Sequence, residues 1–308
     1  MLEIKIVNNL QFVMNGISNE LPRILISSLY SEADFTPKNA SLGNGYYKIQ
    51  TYSVIMSLLT PLALLVTDLD NTLVGDDSSL ERLNQILDRY RRTWGTKIVY
   101  ATGRSRASYQ KLAISKQLLT PDALVAAVGT EIYLGASATP DPEWVNKLSV
   151  NWHREQIVAI ASQFADLEPQ PQSEQRPFKV SYYLSASVVC AVVPRLQKLI
   201  SERGLDVEII YSGNKDLDIL PRGGDKGTAV QFLREGWQID PSQTVVCGDS
   251  GNDISLFKYG MERGIIVGNA QSELRLWDEL HPADYHYLAA ADYAEGILEG
   301  LTYFRFVE

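Results

Sequence analysis

The sequence predicts an α/β protein: a Rossmann-like parallel sheet core with an inserted α+β domain. Three observations carry this. Short apolar or β-branched runs alternate with stretches of helical period from residue 63 to about 138, the pattern of a parallel sheet with helices on its faces. The alternation lapses between about 140 and 222 and resumes at Lys226. The residues suited to chemistry gather where an apolar run ends or a helical stretch begins, which is where open α/β sheets collect their ligands.

Bulk composition narrows the class. With 308 residues the chain is long enough for about two domains. An apolar content of 45% and a charged content of 21% are those of an ordinary globular protein. The net charge of −9 argues against nucleic acid, because neutralising a phosphate backbone takes clustered cations. A small phosphorylated molecule needs only a few local positive groups and a metal. Cys190 and Cys247 lie in the apolar runs SVVCAVV and TVVCGD. Both are expected as buried thiols, neither a disulfide framework nor a metal site. His153, His281 and His286 share no metal-ligand spacing, and a reducing cytoplasm fits this usage. The run 54–66, VIMSLLTPLALLV, is too short for a membrane span and too far from the N-terminus for a signal peptide.

Taken in order, residues 1–55 show no sustained period and no recognisable chemistry. Met56 stands twelve residues before Asp68 and is a candidate native start. The alternative is that 1–55 form a poorly ordered leader. Residues 56–138 make the first part of the core. Its opening strand, 64–67 (LLVT), runs into Asp68 and Asp70. In an extended segment alternate residues point the same way. Two like charges there make sense with a cation or a shared proton; the simpler alternative is a strand followed by an Asx turn at Asn71. A helix follows over 79–93, with Ser78 or Ser79 as cap and Leu80, Leu83, Ile86, Leu87 and Tyr90 at helical spacing. Then come a strand at 96–101, a helix from 105 to about 119, a strand at 123–128, and a turn into a hairpin at Gly129–Tyr133 (GTEIY).

Residues 139–222 form the inserted domain. Helical stretches at 143–150 and 154–165 lead through a polar loop (168–177) to a strand at 178–184. A helix over 192–203 follows, with Pro194 near its first turn, where proline is tolerated. Strands at 207–212 and 217–220 close the insertion. Residues 223–308 return to the core pattern, with helices at 226–236, 252–259, 271–280 and 292–303 and strands at 244–248 and 264–268.

Three further stretches join Asp68 and Asp70. Thr102 and Gly103 end the second strand and offer O–H and N–H donors to an anion, unless Thr102 is an ordinary helix cap. Lys226 starts a helix against the macrodipole, so it is either held there for an anion or simply solvated. Gly248-Asp249-Ser250-Gly251-Asn252-Asp253 packs carboxylates, glycines and an amide behind a strand. Such oxygen donors suit a hard cation such as Mg²⁺, or else an Asx-rich turn with Asp253 near a helix cap.

Together, DLDNTLVGDD, YATGRS, GTEIY, EQRPFKVSYYL, YSGNKDLDILP, DKG and CGDSGND resemble the haloacid dehalogenase superfamily of phosphotransferases. Within it they resemble the sucrose-phosphate phosphatase family, over about residues 62–306 with the insertion as its cap domain. The resemblance implies an Mg²⁺-dependent phosphatase for sucrose 6-phosphate. It implies Asp68 as nucleophile, Asp70 as acid and base, Thr102 and Gly103 as phosphate ligands, and Lys226 as the countercharge. It implies Mg²⁺ held by Asp68, the carbonyl of Asp70, Asp249 and Asp253, with Asn252 orienting the ensemble. For the sugar it points to Glu131, Lys179 and Asp216, although on the residues alone Asp216 and Asp218 could face outward and Lys179 could be solvated. The partner implied is a small-molecule sugar phosphate. Two alternatives stay open: another sugar phosphate, or a non-catalytic partner of a sucrose-phosphate synthase.

Overall fold

The structure, a computed structural model, describes residues 61–307; the expectations for residues 1–55 and for Met56 lie outside them. Its frame is a seven-stranded sheet in the order β11-β10-β9-β1-β2-β3-β4. The strands are β1 (Leu64–Thr67), β2 (Lys97–Ala101), β3 (Ala123–Ala126), β4 (Glu131–Leu134), β9 (Thr244–Gly248), β10 (Arg263–Ile266) and β11 (His286–Leu288). All neighbours pair parallel except β3 and β4, which form an antiparallel hairpin.

β1 is the middle strand, wholly buried, because both of its faces are covered. Alternation sends Leu65 to one side, where it packs with Leu80, Leu83 and Leu87 of α1 (Asp77–Trp94) and Ile297 and Leu301 of α9 (Tyr293–Tyr303). Leu64 and Val66 go to the other side. There they meet Trp144 and Leu148 of α3 (Pro142–Ser149), Val230 and Leu233 of α6 (Lys226–Gly236) and Leu256 of α7 (Ile254–Lys258). Helix α2 (Arg106–Ser115) lies on the Leu65 side and α8 (Ser272–Leu280) on the other.

A second, antiparallel sheet is built from the chain between α3 and α6. Its order is β5-β6-β8-β7, from β5 (Glu168–Pro169), β6 (Val180–Tyr183), β7 (Val207–Ser212) and β8 (Asp216–Pro221). Its own core joins Val180, Tyr182, Leu217 and Ile219 to Ile157 and Ile160 of α4 (Arg154–Ala161) and Val192, Leu196 and Ile200 of α5 (Val189–Glu202). The fold is therefore α/β, with a parallel core sheet and an inserted α+β unit.

Several local expectations are corrected. The cap of α1 is Asp76, whose side chain accepts from the Ser79 N–H at 2.8 Å, and not a serine. Ser105, not Thr102, caps α2, which ends at Ser115 ahead of Gln117, a residue with positive φ. Pro194 sits one turn deeper in α5 than the first-turn position, since the helix starts at Val189. Cys190 is exposed, while Cys247 is buried. The stripe that faces inward on α5 is Val192, Leu196 and Ile200, so helical period overrides the apolar composition around Cys190. The short edge strand β11 had no signal in the sequence pattern. Among the described residues no helix is long and apolar enough to cross a membrane.

Replacing Leu65 by alanine removes buried side chain from the strand that carries Asp68. The expected cost is about 2–5 kcal/mol, read as a lowered urea midpoint with unchanged slope.

Candidate active site

The carboxyl ends of β1, β2 and β9 bring the charged residues together. Asp68 follows β1 directly and is buried. Its Oδ1 accepts a hydrogen bond from Lys226 Nζ at 2.7 Å, and the same ammonium donates to Asp253 Oδ1 at 2.7 Å. Lys226 is completely buried, at the first position of α6, where Asp225 caps the helix by accepting from the Thr228 N–H at 2.9 Å. Burial works against its charge, but Asp253 and Asp68 outweigh that and hold the ammonium above the usual lysine range. Burial pushes the Asp68 carboxyl up to about 7, with Lys226 opposing the rise and Asp253 adding to it.

The loop after β9 closes on itself through Asp253. Its Oδ2 accepts from the backbone N–H groups of Asp249 and Ser250, both at 3.0 Å, completing a capping box with Ser250. Asp253 is thus both a cap and a member of the charged cluster, so the two readings of this stretch coexist. Asp249 is buried beside it, and its Oδ1 accepts from Thr72 Oγ1 at 2.9 Å. Burial, then Asp253 and Asp68, raises the Asp249 carboxyl to about 8.

Oxygens of Asp68, Asp249 and Asp253 lie within 4.8 Å of one another. Lys226 takes Oδ1 of Asp68 and Thr72 takes Oδ1 of Asp249, which leaves the second oxygen of each for a cation. Three buried carboxylates face one ammonium, and all the donors are hard oxygens. This set fits a divalent cation of the Mg²⁺ or Ca²⁺ kind. Both oxygens of Asp253 are already engaged, so it is the most committed of the three. The Asp70 carbonyl receives none of the hydrogen bonds that close the turn, which end on Leu69 and Val74.

Asp70 parts from Asp68 at this turn. Strand pairing of β1 stops at Thr67, and Asn71 adopts a positive φ of 60°, a conformation asparagine tolerates. The Asp70 carboxylate then meets Arg104, whose Nε and Nη2 each donate at 2.7 Å. The two aspartates therefore have separate cationic side chains.

Thr102 is fully buried, its N–H donating to Val125 O and its carbonyl accepting from Val128. A side chain at Gly103 would come within 4.0 Å of Asn252 Nδ2, which places that amide beside the Thr102–Gly103 turn. Asn252 Oδ1 is buried and has no protein partner, an acceptor open to a ligand. Gly129 closes the other wall. It has a φ of +110°, and a Cβ there would lie 2.2 Å from the Asp225 carbonyl carbon and 2.5 Å from Lys226 N. The glycine thus allows the β3–β4 turn to pack on the backbone that presents Lys226.

The residues expected to meet a sugar are held in a different way. Glu131 is buried, accepting from Tyr133 OH at 2.7 Å and from Arg176 Nε at 2.6 Å. Lys179 is buried, not solvated, and pairs with the buried Asp218 at 3.2 Å. Asp218 also accepts from Ser181 Oγ at 2.5 Å. Asp216 accepts from Gln170 Nε2 at 2.9 Å. Sequence reasoning gave no part to Arg104, Arg176 or Thr72. The first followed Thr102-Gly103 and the last completed the D-x-D-x-T run, but neither pairing has a period or spacing that points to its partner.

The family model for sucrose-6F-phosphate phosphohydrolase matches residues 61–305. The chain is 42% identical to a sucrose-phosphatase from Synechocystis sp. PCC6803, solved with sucrose and phosphate. That likeness has a TM-score of 0.76 and covers 80% of this chain and 100% of that one. It is 40% identical over 255 residues to probable sucrose-phosphatase 2 of Arabidopsis thaliana, covering 80% of this chain and 60% of the relative. It is 39% identical over 262 residues to sucrose-phosphatase 1 of Nicotiana tabacum, covering 81% and 61%. The chain thus spans about 60% of the length of these plant relatives.

Two outcomes follow from the geometry. The folded protein holds protons on Asp68 and Asp249 that the unfolded chain releases near pH 4. The stability they contribute is full below about pH 4 and is lost as pH rises through about 7 and 8. With chelator present, the protein should melt at a lower temperature at about pH 8 than at about pH 5.5. Added Mg²⁺ should raise the melting temperature more at the higher pH; an equal rise at both would contradict binding to these carboxylates. Gly129→Ala should cost more than about 3 kcal/mol in urea unfolding, since strain and a backbone clash act together.

Proposed function

The chain belongs to the sucrose-6F-phosphate phosphohydrolase family, and on that premise we propose that it hydrolyses sucrose 6-phosphate to sucrose and phosphate. The observation that carries the proposal is Asp68 itself. A carboxylate buried at the end of the central strand is fixed through one oxygen by Lys226 and lies in a cluster with Asp249 and Asp253. This is a nucleophile with its orientation already set.

Asp68 attacks phosphorus to give an aspartyl-phosphate as the P–O bond to the sugar breaks, while Asp70 passes a proton to the departing sugar oxygen. Asp70 then takes a proton from the water that attacks the aspartyl-phosphate, and free phosphate leaves. Thr102 Oγ1 and the Gly103 N–H receive phosphate oxygens, with the Asn252 amide alongside. Lys226 offsets the charge gathered on Asp68 and the phosphoryl group. Asp68, Asp249, Asp253 and the Asp70 carbonyl would hold Mg²⁺. Mg²⁺ bound there lowers the repulsion between a dianionic phosphate and an anionic nucleophile.

Residues 139–222 would serve as the cap that selects the sugar. Glu131, Lys179 and Asp216 carry groups suited to directional bonds with hydroxyls. Glu131 and Lys179 are already pinned by Arg176 and Asp218, which limits their freedom before a ligand arrives. Two unpaired cysteines accord with work in a reducing cytoplasm.

A phosphate-release screen across sugar phosphates, with Mg²⁺ and with chelator, tests the reading. Preference for sucrose 6-phosphate over hexose monophosphates by at least about 100-fold in kcat/KM is expected, with loss of turnover in chelator. Comparable rates on hexose monophosphates would replace sucrose by a broader sugar class. A wild type with no turnover on any ester would favour a non-catalytic partner of a sucrose-phosphate synthase. Asp68→Asn should lower kcat by more than about 1,000-fold without unfolding the chain.

A further inference from the structure

Arg104 has no part in the mechanism above, yet it is the best-anchored charged group near the leaving-group side. Its backbone N–H donates to Thr102 Oγ1 at 3.2 Å, and its carbonyl accepts from Ala127 N at 2.9 Å. Nη1 donates to Ser108 Oγ at 2.8 Å, in the first turn of α2. The guanidinium is thereby fixed from behind, and its remaining face closes on Asp70 through Nε to Oδ2 and Nη2 to Oδ1. A planar fork that meets a carboxylate at two points sets both its place and its plane.

Stability does not account for this arrangement. The side chains are 33% and 45% exposed for Arg104 and Asp70, and ion pairs so open to water add little to folding. Asp70 lies on a turn beyond the last strand pair, where an unrestrained carboxylate would sample several rotamers. A group that must meet one sugar oxygen and then one water gains from losing that freedom before substrate arrives. The fork uses one lone pair on each Asp70 oxygen, and a second remains on each for the proton in transit.

We propose that Arg104 is a positioning residue for proton transfer, acting through Asp70 and not as a phosphate ligand. The inference rests on the phosphatase reading above. In the first step Asp70 gives its proton to the bridging oxygen as the P–O bond breaks and its electron pair stays on that oxygen. In the second Asp70 takes a proton from water as the new P–O bond forms. Arg104 changes charge in neither step. Its contribution to the first step, which is the step kcat/KM reports, therefore scales with how much the leaving group needs a proton. A sugar alkoxide needs one; p-nitrophenolate departs without it.

The experiment compares Arg104→Gln and Arg104→Lys with wild type on sucrose 6-phosphate and on p-nitrophenyl phosphate, with inorganic phosphate as competitive inhibitor. Arg104→Gln should lower kcat/KM on the sugar phosphate by about 10- to 100-fold, with phosphate inhibition within about 3-fold. Its kcat/KM on p-nitrophenyl phosphate should fall by less than about 3-fold, because the water step that Asp70 also serves does not enter that ratio. Lysine keeps the charge but makes one contact, so it should restore only part of the loss. Equal losses of kcat/KM on both esters, or weakened inhibition by phosphate, would make Arg104 a phosphate ligand and overturn the proposal. Full activity in Arg104→Gln would do the same. Thermal melts show whether each variant is folded, and Arg104→Lys carries the comparison where the glutamine variant is not. A wild type inert on both esters overturns the phosphatase reading itself. Wild-type turnover that depends on Asp68, with equal losses in the variants, overturns only the role of Arg104.

Discussion

The ammonium of Lys226, buried between Asp68 and Asp253, is the constraint on which the site depends. An unpaired charge at that depth would be neutralised or expelled. Two carboxylates at 2.7 Å keep it charged. Because Lys226 opens α6, its side chain can reach Asp68 only if the helix starts in one place. Asp225 fixes that start as N-cap, and Tyr259 OH holds Asp225 in turn at 3.2 Å. Gly129 lets the β3–β4 turn lie against the same backbone. Cap, helix, lysine and Asp68 form one chain of contacts across elements far apart in sequence.

That chain leaves a deficit of positive charge. Asp68, Asp249 and Asp253 face one lysine, and burial raises the carboxyls of Asp68 and Asp249. Such a group of acids holds protons, or it holds a cation that takes their place. The uncommitted oxygens of Asp68 and Asp249 are what make the second state accessible. Asp70 has been removed from this competition by Arg104. Two carboxylates one residue apart thereby acquire different environments, which is what different chemical duties require.

Much of this was legible in the sequence because the relevant signals are local. The alternation of apolar runs and helical stretches located the core strands, and α6 was bounded at 226–236 because Gly224-Asp225 announces its start. Asp68, Asp249, Asp253 and Lys226 announced themselves by standing at strand ends and a helix start. What was not legible is pairing at a distance. Arg104 lies 34 positions from Asp70, and Arg176 lies 45 from Glu131; no period links them. Lys179 read as a possible solvated charge because Asp218, 39 residues on, completes its burial. Cys190 was misplaced for the opposite reason: local composition suggested burial where helical phase decided exposure.

The same distinction separates the charged cluster from the inserted unit. The charged cluster is built from strand ends and helix starts, which rigid packing on both faces of β1 holds in place. The antiparallel unit has its own core and touches the site at a few polar points. Arg176 grips Glu131 beside the β3–β4 turn, and the Gly213 N–H donates to Glu273 Oε1 at 3.0 Å. A Cβ on Gly251 would sit 2.7 Å from the Tyr211 carbonyl, so the loop bearing Asn252 and Asp253 meets the edge of β7 with no side chain between them. The cluster that packs the inserted unit is thus separate from the two that hold β1 and Asp68.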